Sequence, residues 1–491
     1  MSSLKPLLVL GSLFGAAFVT AAEPARPNVL FIVVDDLRTT LGCYGDPVAI
    51  TPAIDALAAR GTRFDAAYCQ QAVCGPSRAS LLTGRRPDTL RVWDLTTHFR
   101  TTTTDVVTLP QYFKQHGYHT IAAGKIFHDG RKMNDLGSWS EEPQLDGVRK
   151  QEDYRLPDNR DAGPSGKAAP VEFVDAPEGE YPDGRTAEAA IALLKQRARE
   201  PKTPFFLAVG FRKPHLPFTA PKKYWDLYTD RALPPVAVPE APVGAPAVAL
   251  HDSVELRGYA GMPARGKPFN AEQIAELRRG YYAATSFTDA QVGRVLAALA
   301  ASGLEKNTIV VLFTDHGFHL GEHGLWVKTT NYEADTRVPL IIAPPGGKPG
   351  VTAALSELLD LYPTLADLSG LPPPEGVEGR SLRPWIEDPT HAGRKAAFSQ
   401  FPRPWMMKGS PEIMGYAVRT ATHRYIEWRD WTKGDVVARE LYALEKPGDF
   451  ETVNLVGKPD EAARERELST LLPTAVAHEK KSASPAAVSS E

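Results

Sequence analysis

Residues Pro27 to Val34 (PNVLFIVV) form a near-continuous apolar run that stops abruptly at Asp35-Asp36. A strand with one wet face alternates apolar and polar residues. A strand that is apolar at both parities must be covered on both sides, as in a parallel sheet flanked by helices. The same grammar returns three times: Thr120 to Ala123 before Gly124-Lys125, Pro204 to Val209 before Lys213 and His215, and Thr308 to Phe313 before Asp315-His316. Helical signals lie between these runs. Thr51-Pro52 opens a helix with Thr as N-cap and Gly61 closing it, and Ala271 to Ser302 places Val292, Leu296 and Leu299 on one face. The pattern predicts an α/β fold: a large, mostly parallel sheet flanked by helices. Each of the four runs delivers charged or imidazole side chains just beyond its C-terminal end. In open α/β sheets that edge is where ligands bind.

The flanking segments read differently. Residues 1–22 have the grammar of a signal peptide, with Lys5, the apolar stretch Leu7 to Val19, and small residues at Thr20-Ala21-Ala22. Residues 23–393 are expected to form the α/β catalytic domain. From about Arg394 alternating segments such as Gly415 to Arg419 and Arg424 to Trp428 predict a smaller antiparallel α+β subdomain over 394–475. Residues 476–491 lack a hydrophobic pattern and read as a disordered tail. The expected product is exported, periplasmic or secreted, with a composition that points to a bacterium. A net charge of −3 with both signs interspersed gives no reason to expect nucleic acid as a partner. No segment after the leader is long and apolar enough to suggest membrane insertion. Three cysteines, Cys43, Cys69 and Cys74, do not make a disulfide framework, and Cys43 and Cys69 are expected as buried free thiols.

Asp35, Asp36 and Asp315 are hard oxygen donors suited to a divalent cation such as calcium. Side by side at buried strand ends they would repel one another, and a metal is the economical partner. Arg78 lies four residues after Cys74, so on a helix the two share a face, and the helix N-terminus adds a positive end to an anion site.

The run Cys74-Gly75-Pro76-Ser77-Arg78, continuing Ala79-Ser80-Leu81-Leu82-Thr83-Gly84, resembles the maturation signature of type I sulfatases, in the alkaline phosphatase superfamily. The resemblance implies that a maturation enzyme oxidises Cys74 to formylglycine. Its hydrate attacks the sulfate ester with one hydroxyl and releases sulfate by collapsing back to the aldehyde. It also implies that Asp35, Asp36, Asp315 and residue 74 hold one calcium ion, with His316 beside them where many members carry Asn. Arg78 would steady the nucleophile and the ligands. Lys125 would bind sulfate oxygens, and His128, in Gly124-Lys125-Ile126-Phe127-His128, would take a proton as sulfate leaves. His215, in Lys213-Pro214-His215-Leu216-Pro217, and Lys328 would flank the scissile oxygen, His215 as the proton donor.

Several stretches resemble the iduronate-2-sulfatase group of that family, among them Val34-Asp35-Asp36-Leu37-Arg38, Gln70 to Cys74, Gly321-Glu322-His323-Gly324 and Ser399 to Pro404. The group implies a sulfated uronic acid or related sugar of an oligo- or polysaccharide as substrate. The chain departs from it at Gly317-Phe318-His319, where the human-type enzyme carries tryptophan. Two other readings share the fold: a phosphonate or phosphodiester hydrolase, and a non-catalytic glycan-binding relative. The sulfatase-style set Lys125, His128, His215 and Lys328 favours sulfate ester hydrolysis.

Overall fold

The computed structural model describes residues 26–128, 132–145, 147, 149–162, 167–405 and 409–473. The leader at 1–22 and the tail at 476–491 lie outside the described residues.

The principal sheet contains β1 (Asn28–Val34), β2 (Thr62–Tyr68), β3 (His119–Gly124), β4 (Phe205–Phe211), β5 (Thr308–Thr314), β6 (Arg337–Ala343) and β7 (Gly350–Thr352). Their order is β7-β2-β6-β5-β1-β4-β3, and the short β8 (Ser356–Glu357) also pairs with β2. β1 is parallel to both β4 and β5, and β3 is parallel to β4. Only β6 runs against its neighbours β5 and β2.

β1 shows why the apolar run was needed. Val29, Phe31 and Val33 enter the core on one side of the sheet, while Leu30, Ile32 and Val34 enter the core on the other. Each such side chain contributes roughly 1.5–3 kcal/mol on full burial. The first core is roofed by α2 (Cys74–Thr83) and α5 (Leu361–Leu368). The second is roofed by α1 (Pro52–Ala58), α3 (Pro182–Arg197) and α4 (Ala271–Ala301). The start of α4 is fixed by Asn270, which accepts from the Gln273 backbone N–H while the Gln273 side chain accepts from Asn270. Towards this core its fully buried apolar residues are Val292, Val295 and Leu299, with Leu296 half-buried beside them.

One local expectation is corrected. α1 does begin at Pro52, yet the Thr51 hydroxyl does not cap it. The hydroxyl instead accepts from the Gly42 N–H at 3.0 Å and donates to Asp55 at 3.1 Å, tying the helix to the preceding loop. Gly61 serves close approach rather than helix termination, because a Cβ there would stand 2.7 Å from the Ile342 carbonyl oxygen.

The C-terminal part is a four-stranded antiparallel sheet in chain order: β9 (Ala397–Arg403), β10 (Ile413–Arg419), β11 (His423–Asp430) and β12 (Val436–Ala443). α6 (Ala462–Leu471) packs Leu468 against Val418, Tyr425 and Leu441. This is the α/β-plus-α+β class that the sequence pattern predicts. What matters for function is the level ending of four parallel neighbours. Val34 lies opposite both Phe211 and Thr314, and Gly124 lies opposite Gly210, so β5, β1, β4 and β3 release their chains at one edge.

Candidate active site

At that edge β1 releases Asp35-Asp36, β5 releases Asp315-His316, β4 leads to Lys213 and His215, and β3 leads to Lys125 and His128. α2 contributes Cys74 as its first residue and Arg78 one turn later, and all ten of its residues are buried. Gly84, at φ 67°, ends the helix in the left-handed conformation.

Oxygen, sulfur and nitrogen donors of Asp35, Asp36, Cys74 and His316 all lie within 4.8 Å of one another. Cys74 Sγ is 3.2 Å from His316 Nε2 and 3.4 Å from Asp35 Oδ1, and His316 Nε2 is 3.4 Å from Asp36 Oδ1. His316 Nδ1 is 2.9 Å from the Gly317 carbonyl. A carbonyl only accepts, so Nδ1 carries the proton and Nε2 turns a lone pair into the cluster. Asp315 stands slightly apart from the other four. Its Oδ2 accepts from Arg78 Nε at 2.7 Å and its Oδ1 from the His316 N–H at 3.1 Å, while Oδ2 remains 3.7 Å from His316 Nε2.

Three cationic side chains enclose the acids. Arg78 also donates to Asp35 at 3.2 Å and to the carbonyls of Lys125 and Ile126 at 2.6 and 3.0 Å. Lys125 Nζ is 2.6 Å from Asp35 Oδ2, and Lys328 Nζ is 3.0 Å from Asp36 Oδ2. The Asp35 carboxyl is driven up by burial, but Lys125 and Arg78 outweigh that and hold it well below the usual carboxylate range. Asp36 has less compensation. Burial raises it and Lys328 and His316 oppose, but the neighbouring carboxylates Asp35 and Glu255 leave it pushed up to about 7. Burial and Asp35 push the Cys74 thiol well above its ordinary range, and burial with Lys328 and Lys125 nearby drives His215 well below its own.

Asp36 Oδ1 is buried with no hydrogen-bond partner, which is the deficit that a cation would fill. Around the cluster Arg78, Lys125 and Lys328 face Asp35, Asp36, Asp315 and Glu255. With every carboxylate ionised that leaves one net negative charge. A divalent cation, which would also keep Asp36 ionised, would turn it into one positive, the complement of a single sulfate ester. The residues therefore fit the metal.

The backbone is strained here. Asp36 sits at φ 60°, and Val327 and Thr329, on either side of Lys328, sit at φ 69° and 99°. Left-handed conformations of β-branched residues persist only where surrounding structure enforces them, and they concentrate at functional sites.

His215 is held by its Nδ1, 2.6 Å from the Leu216 carbonyl, which leaves Nε2 facing Asp36 Oδ2 at 3.9 Å. Its loop is anchored from below by Asp183, whose carboxylate accepts from the backbone N–H groups of Arg212 and Lys213, both at 2.8 Å. His128 lies in the loop after β3, three residues beyond Lys125 and partly buried. Phe318 is fully buried against Leu216, Phe218 and Tyr281, so this departure from the iduronate-2-sulfatase pattern falls in the core beneath the site rather than on its rim. Cys69 is buried and free as expected, whereas Cys43 is free but only half-buried.

The sequence reading missed Glu255. It belongs to no motif and sits on a single helical turn, Val254–Arg257, yet its carboxylate reaches Lys328 Nζ at 3.0 Å and His215 Nε2 at 3.6 Å. Nothing in the local sequence signals that contact.

Comparisons with known proteins identify the family. The family model described as Sulfatase matches residues 27–371, and one described as N-sulphoglucosamine sulphohydrolase, C-terminal, matches 321–477. The iduronate 2-sulfatase of Mus musculus is 36% identical over 514 residues, covering 89% of this chain and 93% of that one. Among solved structures, one in complex with its substrate D-glucosamine-2-N,6-O-disulfate superposes with a TM-score of 0.71 at 25% identity, covering 91% of this chain and 96% of that one. The phosphonate monoester hydrolase of Agrobacterium radiobacter shares the fold, with a TM-score of 0.74 at 24% identity, covering 91% of this chain and 94% of that one. With its site residues on one sheet edge and the family model spanning most of its length, this chain belongs to the sulfatase family of the alkaline phosphatase superfamily and is a sulfuric ester hydrolase.

Proposed function

We propose that the enzyme removes sulfate from a sulfated uronic acid or related sugar, with residue 74 as nucleophile after conversion of its cysteine to formylglycine. The observation that carries the reading is the junction at Cys74. The first residue of a buried helix meets two strand-end carboxylates, an imidazole and three cations, an arrangement that suits a negatively charged ester and a charged transition state. Asp35, Asp36, Asp315, His316 and residue 74 would hold calcium, which when bound polarises the sulfate. Formylglycine at residue 74, hydrated by water to a gem-diol, would supply one hydroxyl as nucleophile and a second whose deprotonation expels sulfate and restores the aldehyde.

The chain's own side chains divide the remaining work. Arg78 fixes Asp35 and Asp315, so the donors keep their spacing. Lys125 binds Asp35 and Lys328 binds Asp36 and Glu255, and the two ammonium groups bring positive charge to where the sulfate oxygens would lie. Burial, Lys328 and Lys125 keep His215 neutral with its proton on Nδ1. The anionic ester offsets the two lysines, so Nε2 takes up a proton from solvent as substrate binds and gives it to the sugar oxygen as the sulfur–oxygen bond breaks. His128 takes one as sulfate departs. The leader at 1–22 would carry the enzyme out of the cytoplasm, where sulfated saccharides are met. Residues 23–393 would form the catalytic domain and 394–475 the smaller C-terminal subdomain.

The test combines two readouts. Protein produced with a maturation enzyme should release sulfate from a 2-O-sulfated uronic acid, and the tryptic peptide holding residue 74 should show sulfur replaced by oxygen. Turnover by protein whose residue 74 is entirely unmodified cysteine would sink the proposed nucleophile.

A further inference from the structure

Glu255 is out of place in a site that must attract an anion. It is no stray surface acid, because its turn is built into the molecule. Ser253, at φ 48°, accepts from the Trp326 N–H through its hydroxyl at 2.9 Å, and its own N–H donates to His251 Nδ1 at 2.9 Å. The turn is thereby pinned to the backbone two residues before Lys328. The Glu255 side chain is 23% exposed and stands at the mouth, while Lys328 beside it is 4% exposed. Both carboxylate oxygens face Lys328, at 3.2 and 3.0 Å, and Oε1 also lies 3.6 Å from His215 Nε2. A carboxylate offers about four lone-pair directions. Lys328 uses some of them, and the partly exposed carboxylate keeps others for a ligand beside the two residues proposed to flank the scissile oxygen.

We infer that Glu255 is a specificity-determining residue that accepts a hydrogen bond from the sugar hydroxyl adjacent to the sulfated carbon, and that it excludes substrates carrying a second sulfate there. The inference rests on the proposed action on sulfated sugars and narrows it to substrates with a free vicinal hydroxyl. The physical basis is the asymmetry of a carboxylate. Towards a hydroxyl it forms a charge-assisted hydrogen bond, and towards a neighbouring sulfate it offers only repulsion. The charge balance of the site agrees, since a cation-loaded cluster complements one sulfate and not two.

The experiment measures kcat/KM for wild type, Glu255→Gln and Glu255→Ala on nitrophenyl sulfate and on three methyl iduronoside 2-sulfates. Of these three, one has a free 3-hydroxyl, one a 3-O-methyl and one a 3-O-sulfo group. Wild type should favour the free hydroxyl over the 3-O-methyl compound by about 10- to 100-fold, the scale of a hydrogen bond to a charged group, and over the 3-O-sulfo compound by more. Glu255→Gln keeps an acceptor without the charge, so it should keep much of the first preference and lose at least tenfold of the second. Glu255→Ala should lose both. Identical ratios in all three proteins, with nitrophenyl sulfate cleaved, would overturn the inference and leave the sulfatase reading standing. Cleavage of nitrophenyl sulfate and of none of the iduronosides would overturn the proposed saccharide substrate and the inference with it.

Discussion

Glu333 and Asp36 are both fully buried carboxylates with cationic neighbours, and their surroundings move them in opposite directions. Glu333 lies where the sheet meets the C-terminal subdomain. It accepts from Tyr68 and the Gly448 N–H, each at 3.0 Å, from Arg419 at 3.2 Å and from Arg424 at 2.5 Å. Burial opposes its charge, but the arginines Arg419, Arg424 and Arg337 win and hold it near 2. Asp36 has Lys328 and His316, two carboxylate neighbours and one oxygen without a partner, and it rises to about 7. Both oxygens of Glu333 are met by donors, and the deficit there falls on its neighbour Glu451, which is raised to about 7 with an unpartnered Oε2. At the site the deficit falls on Asp36 itself. The difference separates a carboxylate that holds two parts of the fold together from one kept ready for a cation, and perturbed groups of the second kind mark functional sites.

That contrast can be broken by mutation. The largest effect is expected at the active-site cluster. Asp36→Ala should lower kcat/KM by about 10³-fold or more, because several kcal/mol of transition-state stabilisation run through the cation site. The same change should leave the thermal midpoint of chelated protein unchanged or raised, since it removes an undercompensated charge. A large fall in that midpoint would mean that Asp36 holds the fold after all.

Glu333→Gln should do the reverse. Leaving Arg419 and Arg424 facing a neutral amide is expected to reduce stability by about 3–5 kcal/mol in denaturant titration. Turnover per folded molecule should be preserved, and a proportionate loss of kcat would tie this junction to catalysis.

Acid titration sharpens the same point. A carboxyl whose folded value lies near 2, against an ordinary 4.5, contributes stability that is present above about pH 4.5 and lost as pH falls towards 2. The shift corresponds to about 3 kcal/mol. The acid limb of wild-type stability should therefore be steeper than that of Glu333→Gln, and superimposable slopes would contradict the assignment.

The smallest effect belongs to neither cluster. Asn270→Ala removes the cap of α4 and should cost about 1 kcal/mol with no change in kcat/KM, setting the scale of an ordinary local change.

The legibility of the molecule follows the range of the forces that build it. β1 was readable because burial on both faces writes both parities of the strand in apolar residues. The strand-end residues Asp35, Asp36, Asp315 and His316 were readable because a parallel sheet delivers them to one edge. Thr51 was misread because the N–H groups it would cap, those of Ala53 and Ile54, donate to Asp289, 236 and 235 positions away, which leaves the Thr51 hydroxyl to Gly42 and Asp55. Glu255 left no trace, since its place depends on Ser253 meeting Trp326 across 73 positions of chain. The Glu333 junction was equally silent. Its arginines lie 86 and 91 positions away, and no local pattern couples a helical turn to a later hairpin.

The most direct test of the active-site cluster is calcium titration of chelated protein, followed by thermal midpoint and checked by elemental analysis. Wild type should bind one ion per chain, gain stability with concentration as linkage requires and recover turnover, while Asp36→Ala should do none of these. Full turnover by chelated wild type with no metal detected, or an equal rise in midpoint for Asp36→Ala, would contradict the account.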